Sequence, residues 1–248
     1  MLKIAVINQK GGTGKTTSVI NLGVALVILK QKVLLIDLDP QANLTYSFGI
    51  ANPPGTIAEV LQGKQTLQAI LVSKEGLDIA PSGLTLSDVE ISMTNKIGRE
   101  GILKAKLQDL KGYNYVFIDS PPSLSILTIN ALNTADEVLI PLQMEILSLQ
   151  GLSQILNTIS EVRSVLNKNL RIMGIIPSMY DNRRNLSEEV LQELEKTSKE
   201  KIFKILIREC VKIAEAPSFA KSVMAYAPSS NGAEDFLSLA KEVIKLRG

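Results

Sequence analysis

Gln9-Lys10-Gly11-Gly12-Thr13-Gly14-Lys15-Thr16-Thr17 follows a short apolar run at residues 2–8 and precedes a stretch at 16–29 with Val19, Leu22, Leu26 and Leu29 at helical spacing. A buried strand, a glycine-rich turn and a helix in that order make a phosphate-binding loop. Glycines let backbone N–H groups converge on phosphate oxygens, and the helix N-terminus adds its positive dipole end. The ordinary pattern is G-x-x-x-x-G-K-[ST]. Gly14, Lys15 and Thr16 fit it, whereas Gln9 stands at the first glycine position and Gly11 and Gly12 supply the flexibility. Lys15 suits the terminal phosphates of a nucleotide, and the Thr16 hydroxyl suits Mg²⁺. Lys10 places a second ammonium beside this loop, which is costly unless an anion lies between them. It reads either as a solvated surface lysine or as a phosphate contact, including one made to a facing subunit.

Outward from the loop, strands and helices alternate. Apolar runs predict strands at 2–8, 32–37, 77–80, 113–119, 137–141, 171–176 and 202–207. Helical spacing predicts helices at 16–29, 56–62, 66–71, 99–110, 125–134, 147–166, 187–197 and 233–246, and Pro40 with the Gln/Asn-rich stretch behind it reads as a loop. The pattern implies an α/β fold, a mostly parallel twisted sheet with helices on both faces, of the deviant P-loop NTPase kind. Residues 1–248 read as a single domain. Ligands of such sheets bind beyond the carboxyl ends of the strands.

Two further strand ends carry acids. One reads Asp37-Leu38-Asp39-Pro40-Gln41, and alternation puts Asp37 and Asp39 on one side of an extended chain. One carboxylate can hold a Mg²⁺-bound water and the other can position an attacking water. The run Tyr115-Val116-Phe117-Ile118-Asp119 ends in the Walker B manner, with Asp119 placed to serve the Mg²⁺ shell. Acids at strand ends also serve as helix caps or turn residues; the upstream loop is what turns the reading towards a metal–nucleotide site.

Composition removes other chemistries. Among 248 residues there is no histidine and a single cysteine, Cys210. Ser-His-Asp and Cys-His nucleophile systems are therefore excluded, as are an intrachain disulfide and a cysteine-held cluster within one chain. A net charge of +2 does not announce a nucleic-acid binder, but it leaves room for a local basic patch. No signal-peptide pattern or membrane-span window is visible, so a cytoplasmic location is expected.

The residues from Lys10 to Thr17 resemble the deviant Walker A of the ParA/MinD group of P-loop ATPases, with Lys10 as its signature lysine. Asp37-Leu38-Asp39-Pro40-Gln41 narrows the resemblance to the ParA/Soj partition ATPases of chromosomes and plasmids. Asp119-Ser120-Pro121-Pro122-Ser123-Leu124, Met179-Tyr180-Asp181 and Ala214-Glu215-Ala216-Pro217-Ser218-Phe219 fit the same family. The resemblance implies Mg-ATP binding by Lys10, Gly11, Gly12, Thr13, Gly14, Lys15, Thr16 and Thr17. It also implies an ATP-sandwich homodimer closed near Gly11, with Lys10 reaching across it. Catalytic roles would fall to Lys10, Lys15 and Asp39, and metal roles to Thr16, Asp37 and Asp119. The dimer would bind double-stranded DNA without sequence preference and associate with the nucleoid, and a ParB-type partner would stimulate slow basal hydrolysis.

For DNA, the resemblance points to Arg183, Arg184 and Lys212. The family's usual Ile-Pro-Arg-Asn-Val-Arg reads Ile207-Arg208-Glu209-Cys210-Val211-Lys212 here, a departure in the adenine-contacting and basic stretch. Residues 161–248 carry 15 Lys+Arg against 12 Asp+Glu, so the small basic excess lies in this half. On charge alone, the favoured reading of Arg183 and Arg184 is an exposed loop pair. The closing segment 236–247 is amphipathic, with Lys241, Lys245 and Arg247 on its polar side. Such a helix packs on the sheet or, in a MinD-like membrane-cycling ATPase, lies on a lipid surface. Packing is the expectation, with no stable membrane association.

Overall fold

Short apolar runs bounded by Gly, Pro and Asn form strands because they are too short for helices and rich in β-branched side chains. The computed structural model describes residues 1–247. Among them one sheet is built from β1 (Leu2–Val6), β2 (Val33–Asp37), β3 (Val72–Lys74), β4 (Leu77–Ala80), β5 (Tyr115–Asp119), β6 (Glu137–Gln143), β7 (Arg171–Tyr180) and β8 (Ile207–Arg208). The order across it is β3-β4-β2-β5-β1-β6-β7-β8. Neighbours pair in parallel except for the β3–β4 hairpin. After β5 the chain passes over β1 to β6 and begins adding strands on the other side. The carboxyl end of β1, where the glycine-rich loop begins, is thus the topological switch point.

Alternation along the strands feeds two cores. Ile4 and Val6 of β1 face one side with Leu35 and Phe117, while Ala5, Leu34, Ile36, Val116 and Ile118 face the other. The helix Lys15–Ile28 covers the first side with Val19, Leu22 and Leu26, beside the closing helix Asn231–Lys245. Phe236, Leu239, Ala240 and Val243 of that closing helix are wholly buried, so its apolar face is spent on the sheet. The helices Ile57–Gln62, Ile126–Thr134 and Ile146–Val165 cover the other side. Among the described residues no helix is long and apolar enough to cross a membrane.

Three expectations need correction. The strand expected at 202–207 reduces to β8 and one isolated bridge between Ile175 and Ile202. The amides of Lys204 and Ile205 donate instead to the Glu242 carboxylate of the closing helix, which diverts them from β7. The helix expected over 99–110 is a 3₁₀ turn, Arg99–Gly101, followed by the short helix Ile102–Lys106. Asn130 interrupts it by accepting the Leu103 amide and donating to the Arg99 carbonyl. Behind Pro40 the expected loop contains the helix Asn43–Ser47. The structure also adds β3 and the helix Thr85–Met93, and extends β7 to Tyr180.

Candidate nucleotide-binding site

The loop after β1 is held from three directions. The Asn8 side chain donates to the Pro141 carbonyl at 2.7 Å and accepts the Lys10 amide at 3.1 Å. Thr13 donates to the Lys10 carbonyl at 3.3 Å, and Ser178 of β7 donates to the Thr13 carbonyl at 3.2 Å. Gly12 and Gly14 have φ of 76° and 85°, left-handed values that suit glycine. Gly14 caps the helix Lys15–Ile28 without any side-chain bond, so the first-turn amides stay open to an anion. The loop borders a pocket of about 310 Å³, whose lining includes Gly11, Lys15, Thr16, Asp39 and Pro217.

Lys15 is buried, 7% exposed, and donates to the Lys10 carbonyl at 3.3 Å. Burial lowers its pKa, and Asp119 and Asp39 pull it back up. Asp119 is fully buried at the end of β5, and neither carboxylate oxygen has a hydrogen-bond partner. Its pKa is pushed well up by burial and then by Asp37, against the pull of Thr16 and Lys15. The Thr16 hydroxyl stands near it but outside ordinary hydrogen-bond geometry. An unpartnered buried carboxylate beside a threonine hydroxyl and a phosphate loop fits Mg²⁺. No group of three or more acids that could cage a metal by itself occurs among the described residues. The fit is that of an ion held by one or two protein groups, nucleotide phosphates and water.

Asp37 is equally buried, but it is satisfied from within the fold. It accepts the Thr45 hydroxyl at 2.7 Å, the Thr45 amide at 2.9 Å and the Asp39 amide at 3.3 Å. Burial nevertheless holds its pKa up at about 6. Its bonds make it a brace for the loop beyond β2. Asp39 is 6% exposed, lines the pocket and accepts the Gln41 amide at 2.9 Å. Ser82, beyond β4, donates its hydroxyl to the Asp39 carbonyl and its amide to the Thr45 hydroxyl. Thr45 and Ser82 are positioning residues that the sequence did not reveal, since their roles depend on helix Asn43–Ser47 and on the β2–β4 pairing.

Lys10 lies on the surface of the loop, where its ammonium pairs with Glu145 at 2.9 Å. Glu145 precedes the helix Ile146–Val165 and was likewise missed. The basic residues gather beyond β7 and β8. Arg183 makes a two-point contact to Asp181, at 2.9 and 3.0 Å, which holds the Asp181 carboxyl down at about 2. Arg184 reaches Asp181 at 3.2 Å and Glu209 at 3.8 Å, tying the two loops together. Lys212 pairs with Glu215 at 2.8 Å. Arg208 turns away to Asp235 and Glu234 of the closing helix. Arg183 and Arg184 remain largely exposed despite their acidic neighbours.

Comparison with known proteins fits this geometry. A family model described as an AAA domain matches residues 1–172. The chain is 43% identical over 245 residues to the sporulation initiation inhibitor protein Soj of Bacillus subtilis, covering 97% of each chain. It is 42% identical over 248 residues to the chromosome partitioning protein ParA of Caulobacter vibrioides, covering 97% of this chain and 93% of that one. Among solved structures, it is similar to a cobyrinic acid a,c-diamide synthase from Mycobacterium smegmatis with bound ADP and magnesium. That likeness has a TM-score of 0.87 and 35% identity, over 99% of this chain and 94% of the other.

Proposed function

The chain belongs to the Soj/ParA family of chromosome-partitioning ATPases, and from that premise we propose that it is an ATP-driven DNA-partition switch. Mg-ATP brings two copies face to face across their phosphate loops, the pair holds DNA through its backbone, and hydrolysis stimulated by a ParB-type partner releases both. The observation that carries the reading is the convergence of Lys15, Thr16, Asp39 and the unpartnered Asp119 at three strand ends around the loop. Loop amides and Lys15 hold the phosphates. Thr16 and Asp119 hold Mg²⁺, with Asp37 bracing the loop behind them. When bound, Mg²⁺ neutralises charge on the phosphate oxygens. Asp39 orients the water that attacks the terminal phosphorus in line with the departing ADP. Lys10 is tied to Glu145 by an exposed pair that a phosphate can displace.

Arg183, Arg184 and Lys212 form the proposed DNA contact, at the edge where the loops after β7 and β8 meet. Each patch is weak, because Asp181, Glu209 and Glu215 sit among the cations. Pairing two copies would double it, which suits release on separation. The protein would be cytoplasmic and on the nucleoid while ATP-bound. Burial of the closing helix's apolar face speaks against a membrane-cycling role. The test is retention on double-stranded DNA with ATP, ADP or no nucleotide over a salt series, beside anionic vesicles. Retention on DNA with ATP alone, falling steeply with salt, is expected. Vesicle binding without DNA binding would overturn the reading.

A further inference from the structure

The pocket contains a cation that neither the loop motif nor the acidic strand ends account for. Lys221 lines it together with Gly12, Lys15, Asp39 and Asn43. Its side chain is exposed, and among the described residues it forms no ion pair. Asp39 is the one carboxylate in the pocket lining, against two ammonium groups, Lys15 and Lys221. Like charges converging on one cavity are unfavourable until an anion enters it.

Two independent features set the backbone of Lys221. Ala220, immediately before it, has φ of 54°, a left-handed conformation that residues with a Cβ rarely adopt. A Cβ placed on Gly49 would come within 2.8 Å of the Ala220 Cβ, so this turn packs as closely as glycine allows against the chain behind helix Asn43–Ser47. Strained backbone persists where its surroundings over-determine it. On the other side, Ser222 is clamped. Its amide donates to Glu75 at 3.0 Å and its hydroxyl donates to the same carboxylate. The next amide, Val223, donates to Asn21 at 2.8 Å, and Asn21 in turn donates to the Thr17 carbonyl of the phosphate-loop helix. Glu75 belongs to the β3–β4 hairpin turn, far from the loop in sequence. The hairpin and the phosphate-loop helix thus jointly aim one lysine stem at the pocket.

We propose that Lys221 is a third nucleotide-phosphate contact, presented by the strained Ala220 turn, and that Glu75 is its positioning residue. The proposal rests on the reading of this pocket as a nucleotide site. It is tested by titrating Mg-ADP into the wild-type chain and into K221Q, K221R, E75Q and the K221Q/E75Q pair. K221Q should bind about tenfold more weakly, the scale of one charge-assisted hydrogen bond, and K221R should stay near wild type. The K221Q deficit should shrink as salt is raised, because the ammonium is exposed. E75Q should lose affinity, but should add nothing to K221Q. Wild-type affinity in K221Q would overturn the proposal alone, and so would an equal loss in K221R, which would mean packing rather than charge. An additive loss in the pair would remove Glu75 from its positioning role. No binding of Mg-ADP by the wild-type chain would overturn the nucleotide reading itself.

Discussion

The Lys10 ammonium lies 2.9 Å from a Glu145 carboxylate oxygen, tying the head of the phosphate loop to the start of the helix behind β6. Both side chains are close to half exposed, at 46% and 45%, and such a pair contributes about 0–1 kcal/mol. Glu145→Gln should therefore leave the urea unfolding midpoint nearly unchanged. It should also strengthen Mg-ATP binding by about two- to fivefold, because Lys10 no longer has to leave a partner. Unchanged affinity in a titration would mean that Lys10 does not reach the nucleotide.

Asp37 gives a pH signature. Its folded pKa of about 6 lies above the ~3.9 of an unfolded aspartate. The folded chain therefore binds this proton more tightly, and the Asp37 contribution to stability falls as pH rises from about 4 to about 6. A shift of about two units corresponds to roughly 3 kcal/mol. Asp37→Asn removes the titration and keeps an acceptor for Thr45. The stability of the variant relative to wild type, measured by urea unfolding without nucleotide, should rise by an amount of that order across this window. A difference independent of pH would show that the Asp37 proton is not held as the buried geometry requires.

Asp39 is positioned by the Ser82 hydroxyl through its carbonyl and by its own acceptance of the Gln41 amide. Asp39→Ala should bind Mg-ATP near wild-type affinity and lose about 10²-fold or more in hydrolysis, as expected when a water-orienting group is removed. Phosphate release together with sizing chromatography should show an ATP-dependent dimer that persists. Normal turnover would take Asp39 out of the mechanism. Ser82→Ala should produce a smaller loss of turnover through the displaced Asp39 backbone.

Arg183 and Arg184 share the Asp181 carboxylate, and the proposed DNA contact gives both a second role that can be measured. Arg183→Glu and Arg184→Glu should each weaken ATP-dependent DNA retention without changing Mg-ADP affinity. Each lost phosphate contact should lower the slope of log affinity against log salt by ~0.9. An unchanged slope would assign both arginines to fixing the Asp181 loop.

The chemistry-bearing strand ends were legible in the sequence because each announces itself within a few residues. Gly14-Lys15-Thr16 needs no distant partner to be read, nor does Asp119 at the close of an apolar run. Thr45, Ser82 and Glu145 were not legible, because each acquires its role across the fold. Thr45 meets Asp37 eight residues away through a short helix, Ser82 meets Asp39 through strand pairing, and Glu145 meets Lys10 across 135 residues. The strand expected at 202–207 failed for the same reason. Its apolar spacing is genuine, but whether its amides pair with β7 or with Glu242 is settled only by the docked closing helix.

Glu242 has a consequence for how copies of this chain can meet. By drawing the Lys204 and Ile205 amides to the closing helix it leaves no regular strand there to extend, and Asp235 of the same helix occupies the Arg208 amide of β8. The opposite border of the sheet, β3, is three residues long and ends in Lys74, a poor template for strand addition. Neither border invites a second chain to continue the hydrogen-bonded ladder. Pairing through the sheet borders is thereby disfavoured, and a chain that pairs and parts repeatedly, as proposed, would be protected from locking into an extended β-assembly.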